Sequence, residues 1–448
     1  MLEAIRPSPE EEAKLARLAN ELTEKCKAAA DFFGAKLEVR VVGSFEKKTH
    51  LKGADLDIFM LFDPATPLEQ LKELGVKIAG SVVTEGETRY AEHPYLRGRV
   101  EGVRVDMVPA YHVGSAREMR TSVDRTPFHN EFVRERLEPS QRDEVRLLKR
   151  FMKGIGAYGS ELVVQGFSGY LCELLVIRFG GFEAVLSEAS GWREGPVLTV
   201  EGTVPPEVVA TARKDFPEPL VFIDPVDPTR NVASAVSLDS FALFVFAGRE
   251  YRREPKPVFF FPHDKPKLTP ADIRTRGEAR GTRILGVVIK GSQEVDDIWI
   301  PQLRKSEKAL SKMLATYGFG PARSDVFWGD EVLFLFELSA GRLPIANKHF
   351  GPSATHENAR DFVEKWSGRP GQLSKPYVED GRLMVDVSRD HTDAAELIRD
   401  RARSVGHGKS VADAFAEKFD VLELDEVARE PYRAWTSEFL QPGLPWQF

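Results

Sequence analysis

Apolar residues recur at spacings of three and four through Leu15, Leu18, Leu22, Cys26, Ala29 and Phe33, the stripe of an amphipathic helix. Ser8-Pro9-Glu10-Glu11 opens it, with a capping hydroxyl before proline at the first helical position and Glu11 set to reach back. Gly34 ends it. Strand patterning follows at Leu37–Val42 and Leu56–Phe62, the second closed by Asp63-Pro64. Thr66-Pro67-Leu68-Glu69 predicts a second capping box and a helix with Leu68, Leu71, Leu74 and Ile78 inward. Residues 88–100 and 103–111 flank the two-residue turn Glu101-Gly102, a hairpin signature. Helix, strand, strand, helix and hairpin together predict an α+β module with a small mixed sheet.

From about Glu144 the pattern becomes helical (Val145, Leu147, Leu148, Phe151, Met152, then 167–177), which predicts a helical central domain. Three prolines within 262–270 mark a linker or long loop. Beyond it, 284–290, 326–338 and 382–387 are strand-like and alternate with helical stretches, a further α+β region. For 448 residues the prior is about three domains. The expected boundaries are 1–140, 141–257 and 258–448.

Composition is ordinary for a globular chain, 42% hydrophobic and 29% charged. Cys26 and Cys172 are too few for a disulfide framework or a Cys-rich zinc site, so a reducing compartment is expected, and Cys26 reads as a core residue. No apolar run reaches membrane-span length and Met1-Leu2-Glu3-Ala4 lacks a signal pattern, so a cytoplasmic, membrane-free protein is expected. The net charge of −7 does not announce a nucleic-acid binder. Local charge changes that picture: residues 251–290 hold ten basic side chains against four acidic ones, interleaved with Tyr251 and Phe259 to Phe261. Such a stretch can neutralise phosphates and stack bases, although 258–261 also reads as a buried strand. Arg399, Arg401, Arg403, His407 and Lys409 form a second basic stretch, suited to recognising a folded RNA by shape.

Candidate chemistry lies between Gly43 and Met60. Asp55 and Asp57 are two apart in a strand, so both carboxylates leave one face while Leu56, Ile58 and Met60 pack the other. Asp106 stands likewise opposite Val103, Val105 and Met107. If the two strands are neighbours, three carboxylates converge, a costly arrangement unless divalent cations neutralise it, and hard oxygen ligands favour Mg²⁺. Gly43-Ser44 begins a turn after a strand, where backbone N–H groups, a hydroxyl and Lys47 or Lys48 could hold phosphate. A lone Asp-x-Asp is usually structural. The combination of cradle, paired carboxylates and third carboxylate is the equipment of two-metal phosphoryl or nucleotidyl transfer.

Gly43-Ser44 with Asp55-x-Asp57 and Asp106 resembles the nucleotidyltransferase superfamily of DNA polymerase β and the poly(A) polymerases. Arg89-Tyr90-Ala91-Glu92-His93-Pro94-Tyr95, the segments 123–129, 144–149 and 166–175, and Asp224-Pro225-Val226-Asp227-x-x-Arg230-Asn231 narrow it to the archaeal (class I) CCA-adding enzymes. Weaker likeness continues through 296–303 and 406–409, nearly the whole chain.

The resemblance implies a polymerase-β-like head, a helical neck, and an α+β (RRM-like) body and tail. It implies addition of C, C and A to the tRNA 3′ end from CTP and ATP without a template, in a possible homodimer. Asp55, Asp57 and Asp106 would be the metal-binding catalytic carboxylates. Ser44, Lys47, His129, Lys149 and Tyr158 would hold the triphosphate, and Arg230 would read the incoming base. Read without the family, His129 could cap a helix, Lys149 lies in a solvated basic run, Tyr158 is an amphipathic ring and Arg230 pairs with Asp227. Two departures stand out: the family commonly has arginine where Lys47 stands, and the loop before Asp55 is one residue short. A poly(A) polymerase or oligoadenylate synthetase-like enzyme is the alternative within the superfamily, and an RNA-binding protein without catalysis the alternative outside it.

Overall fold

The structure is a computed structural model that describes residues 1–83, 86–90 and 94–448. It contains two compact units, Met1–Asp264 with Gly443–Phe448, and Lys265–Pro442. The first unit opens with the helix Pro9–Phe32, where the Ser8 hydroxyl accepts the Glu11 N–H at 3.2 Å. Only half of the expected box forms, because the Glu11 carboxylate turns away to accept the Gly53 N–H at 2.5 Å. Leu15, Leu18, Leu22 and Cys26 are buried as their spacing predicts, and Ala30 completes the stripe. Phe33 does not, since it lies beyond the last helical residue and is 37% exposed.

Five strands form the sheet beneath this helix: β1 (Leu37–Val42), β2 (Leu56–Phe62), β3 (Gly86–Tyr90), β4 (Pro94–Val100) and β5 (Val103–Tyr111). Their order is β1-β2-β5-β4-β3, with β2 and β5 parallel and the other neighbours antiparallel, the mixed sheet expected. Glu101 and Gly102 both have positive φ, the requirement of a two-residue hairpin turn. Of the expected strand 88–100, Ala91-Glu92-His93 lie outside the described residues.

Leu56, Ile58, Met60, Val105 and Met107 pack into one core with Leu15, Leu18 and Leu22, and with Leu71 and Ile78 of the helix Leu68–Val82. Thr66 does not cap that helix. Its first turn closes on the Pro67 carbonyl, which accepts the Leu71 N–H at 2.9 Å, so the helix starts one residue later than the box requires and leaves Leu68 exposed.

The helices Arg142–Gly154, Gly169–Phe179, Phe182–Ala189 and Leu238–Arg253 gather around Phe151. Its ring meets those of Phe182, Tyr251, Phe259 and Phe260 at centroid distances of 5.5, 5.6, 6.1 and 5.6 Å. Residues 258–261 are therefore not a strand. Pro257–Phe259 forms a 3₁₀ turn that drives Phe259 and Phe260 into this core, and Trp446 stacks on Phe259. Tyr251 and these two phenylalanines are packing residues rather than base platforms, while Phe261 is partly exposed beneath the Arg150 guanidinium. A short parallel pair, β6 (Val197–Leu198) and β7 (Val221–Phe222), lies alongside the helix Pro206–Asp215.

The second unit carries an antiparallel sheet ordered β14-β8-β10-β9, from β8 (Arg283–Lys290), β9 (Pro321–Trp328), β10 (Glu331–Leu338) and β14 (Phe419–Glu423). The long helix Asp296–Thr316 covers one face. The stretch 326–338 is a hairpin rather than one strand, because the chain turns at Gly329-Asp330. A separate sheet orders β11 (Ala346–Ser353), β13 (Arg382–Ser388) and β12 (Tyr377–Glu379).

Several members of the two basic stretches are tied down inside this unit. Arg280 pairs with Glu337, Arg283 with Asp393 and Glu423, Arg403 donates to the Phe415 carbonyl, and His407 is buried against the Ala402 carbonyl. A count of charges along the chain cannot separate such internal pairs from cations free to meet phosphate. Among the described residues, no helix is long and apolar enough to cross a membrane.

Phe151→Ala is expected to destabilise the first unit by about 3–5 kcal/mol, the usual cost of emptying a large aromatic site. Denaturant unfolding followed by tryptophan fluorescence reads this, and an unshifted midpoint would show that the ring cluster is not its core.

Candidate active site

One register row crosses four strands: Val42 faces Asp57, Asp57 faces Asp106, and Asp106 faces Arg97. Neighbouring strands lie about 4.8 Å apart, so the carboxylates of Asp57 and Asp106 rise side by side from the face opposite the core. Gly43 follows Val42 with φ +78°, and a Cβ there would run into the Asp57 carboxylate. Only glycine satisfies both the left-handed backbone and the close approach. It starts the single helical turn Gly43–Glu46, which sets the half-buried Ser44 beside the row.

Cations already answer two of the three acids. Arg97 grips Asp106 through two bonds of 2.8 and 2.6 Å, and Arg104 pairs with Asp55. Among the described residues, Asp57 has no such partner. Burial pushes its carboxyl up to about 6, and the neighbouring charges of Asp106 and Asp55 add to the rise. Burial also raises Asp55, against the pull of Arg104. Among the described residues, no three His, Cys, Asp or Glu side chains are arranged to hold a metal ion as they stand. The donor set nevertheless suits a hard divalent cation: three crowded carboxylates, one of them protonated more readily because it is buried and the others are near. Arg97 and Arg104 supply the positive charge that the cluster demands.

Next to this row lies a buried cationic knot. Glu173, wholly buried on the helix Gly169–Phe179, accepts from Lys47 Nζ at 2.5 Å, Thr49 Oγ1 at 2.5 Å and Lys149 Nζ at 2.9 Å. Burial alone would raise Glu173, but Lys149 and Lys47 hold it down at about 2. Burial lowers Lys149, with Lys47 adding to the effect and Glu173 opposing it. Lys149 is thus not on a solvated face, although its helix reads as a basic run. Tyr158 stands beside it, since a Cβ at Gly169 would meet both the Tyr158 hydroxyl and Lys149 Nζ.

A second cluster centres on Asp224. Its Oδ2 bonds His129 Nε2 at 2.8 Å and Arg230 Nη1 at 3.2 Å, and the His129 ring stacks on Tyr170 at 4.0 Å. Burial lowers the His129 pKa, which Asp224 partly restores. Arg230, expected from sequence to pair with Asp227, pairs with Asp224 instead, and Arg125 takes Asp227 at 2.9 Å.

The fold therefore gathers Asp55, Asp57, Asp106 and Ser44 at one sheet end, Lys47, Lys149 and Tyr158 in the cationic knot, and His129 and Arg230 on Asp224. Arg97, Arg104, Glu173, Tyr170 and Asp224 went without roles in the sequence reading. Arg97 and Arg104 had a signal, since each lies in a hairpin strand with the parity of its acidic partner. Nothing local marks Glu173, because its partners come from 24 to 126 positions away.

Carboxylates rising from a mixed sheet beside Gly43-Ser44 define a nucleotidyltransferase, and the profile described as "Nucleotidyltransferase domain" matches residues 22–129. Enzymes of this class depend on divalent metal. Residues 143–261 match "tRNA nucleotidyltransferase, second domain", and 280–423 match "CCA-adding enzyme, C-terminal domain". The CCA-adding enzyme of Methanosarcina barkeri is 39% identical over 436 residues, 96% of this chain and 94% of that protein. Those of Halobacterium salinarum and Methanothermobacter thermautotrophicus are each 36% identical, covering 97% and 100% of this chain and 95% and 98% of their own lengths. The chain belongs to the CCA-adding enzyme family.

A carboxyl raised on folding from 3.8 to about 6 favours the folded state at low pH and loses that contribution as pH climbs through 6. In chelator at pH 8, Asp57→Asn should therefore be more stable than the parent by about 1–3 kcal/mol, a gain that fades as pH falls from 6 toward 4. Melting curves across pH measure it, and a pH-independent difference would remove the account of a carboxyl raised by burial and by its acidic neighbours.

Proposed function

We propose that this chain adds C, C and A to the 3′ end of tRNA without a nucleic-acid template, using CTP and ATP and releasing pyrophosphate, with Asp55, Asp57 and Asp106 as catalytic carboxylates that hold Mg²⁺. The observation that carries this reading is the register row joining Asp57 to Asp106 across parallel strands, with Gly43-Ser44 against Asp57. When bound, the divalent ions supply positive charge to the triphosphate and acidify the attacking 3′ hydroxyl.

The chain's own groups do the rest. The Ser44 hydroxyl, the Lys47 and Lys149 ammonium groups, His129 and the Tyr158 hydroxyl bind the triphosphate. Arg230 reads the Watson–Crick edge of the incoming base, and Asp224 fixes Arg230 and His129 with one carboxylate, so base and phosphate contacts are aligned together. One guanidinium fork cannot accept C and A while rejecting U and G by itself, so the RNA end completes the pocket. The enzyme on this reading is cytoplasmic, and sedimentation of the purified chain tests whether it pairs as a homodimer.

Purified tRNA lacking its last three nucleotides, supplied with labelled CTP and then ATP, should be extended by C, C and A and no further; a long A tract would favour the poly(A) polymerase reading. Asp57→Ala should reduce incorporation by at least about 10³-fold, as loss of a metal-holding carboxylate does. Its tRNA binding in a filter assay should remain near the parent's. Full incorporation by that variant would sink the assignment of the carboxylates.

A further inference from the structure

Glu173 pairs with two ammonium groups that have little exposure. Lys47 is 9% exposed, Lys149 2% and Glu173 not at all, so one carboxylate answers two cations with little help from water. Three donors hold it: Lys47 Nζ on Oε2, and Thr49 Oγ1 and Lys149 Nζ on Oε1. Two ammonium groups share this one carboxylate, and Lys47, whose charge also reaches Asp57, is the more exposed of the two and the one an arriving anion would meet. Its parts come from different elements, since Lys47 and Thr49 follow the Ser44 turn while Lys149 and Glu173 lie on two helices. The Ser44 turn has a second, independent anchor: Arg146 donates to the Lys48 and His50 carbonyls at 2.7 and 2.8 Å. Glu173 is therefore not needed merely to keep the loop attached.

We propose that Glu173 is a positioning residue for nucleotide binding, which holds the Lys47 and Lys149 ammonium groups side by side so that the triphosphate of CTP or ATP meets two aligned cations. The proposal rests on the reading that these lysines bind the triphosphate. Glu173 itself touches no substrate. Replacing the carboxylate by an amide removes the shared negative charge and turns one acceptor oxygen into a donor, so the two cations repel each other and one of them loses its partner.

Steady-state kinetics on the full-length chain, with tRNA lacking the terminal A and varied ATP, or lacking all three nucleotides and varied CTP, test this. Glu173→Gln should raise KM for both nucleotides roughly 10- to 100-fold, the factor a lost charge-assisted hydrogen bond carries, with kcat changed less than about threefold and KM for tRNA unmoved. Glu173→Asp keeps the charge but shortens the reach, and should raise nucleotide KM by about three- to tenfold, a partial rescue. If the glutamine variant does not fold, the aspartate variant decides alone. Lys47→Ala should raise nucleotide KM, and Lys47→Ala with Glu173→Gln should cost less than the product of the single effects, since both act through one ammonium. A Glu173 variant that melts lower but keeps the parental nucleotide KM, while Lys47→Ala raises it, would overturn the positioning role alone. Unchanged nucleotide KM in Lys47→Ala and Lys149→Ala would instead overturn the triphosphate reading beneath it.

Discussion

Three carboxylates at one end of a sheet repel each other, and the architecture of the first unit is organised around tolerating that repulsion. Parallel pairing of β2 with β5 brings Asp57 against Asp106, and no hairpin could do so at this spacing in the chain. The apolar faces of the same strands make the juxtaposition affordable: Leu56, Ile58, Met60, Val105 and Met107 are locked into a common core, so the strands cannot slip to relieve the charge. Arg97 and Arg104 then answer two of the acids, and Asp57, buried and with no ion-pair partner among the described residues, has a raised pKa.

Opposite charge crowding recurs close by in sequence. Lys47 follows the Ser44 turn by three residues, yet its counter-ion lies 126 positions further on. An excess of negative charge on the sheet and an excess of positive charge around Glu173 suit a substrate whose reacting group is an anionic phosphate chain and whose counter-ions are divalent metals. Asp224 adds a third device of the same kind, one carboxylate orienting both an imidazole and a guanidinium. In each case a buried charge holds other charged groups in fixed directions, which costs stability locally and pre-arranges binding.

Much of this was legible along the chain. Strand limits at Leu37–Val42 and Leu56–Phe62, the Glu101-Gly102 turn and the buried stripe of the first long helix follow from periodicity and turn chemistry, which act over a few residues. Local signals failed where a neighbour in space decided. Phe259 and Phe260 look like strand or base-stacking residues until Phe151 and Tyr251 close around them. Lys149 looks solvated until Glu173 covers it, and Arg280 and Arg283 look free until Glu337, Asp393 and Glu423 claim them.

The sequence by itself determined the first long helix, the strands Leu37–Val42 and Leu56–Phe62, the Glu101-Gly102 turn and, through motifs in the right order, the family. Alternation and capping are properties of adjacent residues, so they survive without a fold. Which acids meet, which cations answer them and which basic residues stay available were decided only by tertiary structure. Coulomb energy depends on distance and burial, and pairs such as Asp57 with Asp106 or Lys47 with Glu173 acquire both only when remote segments pack together.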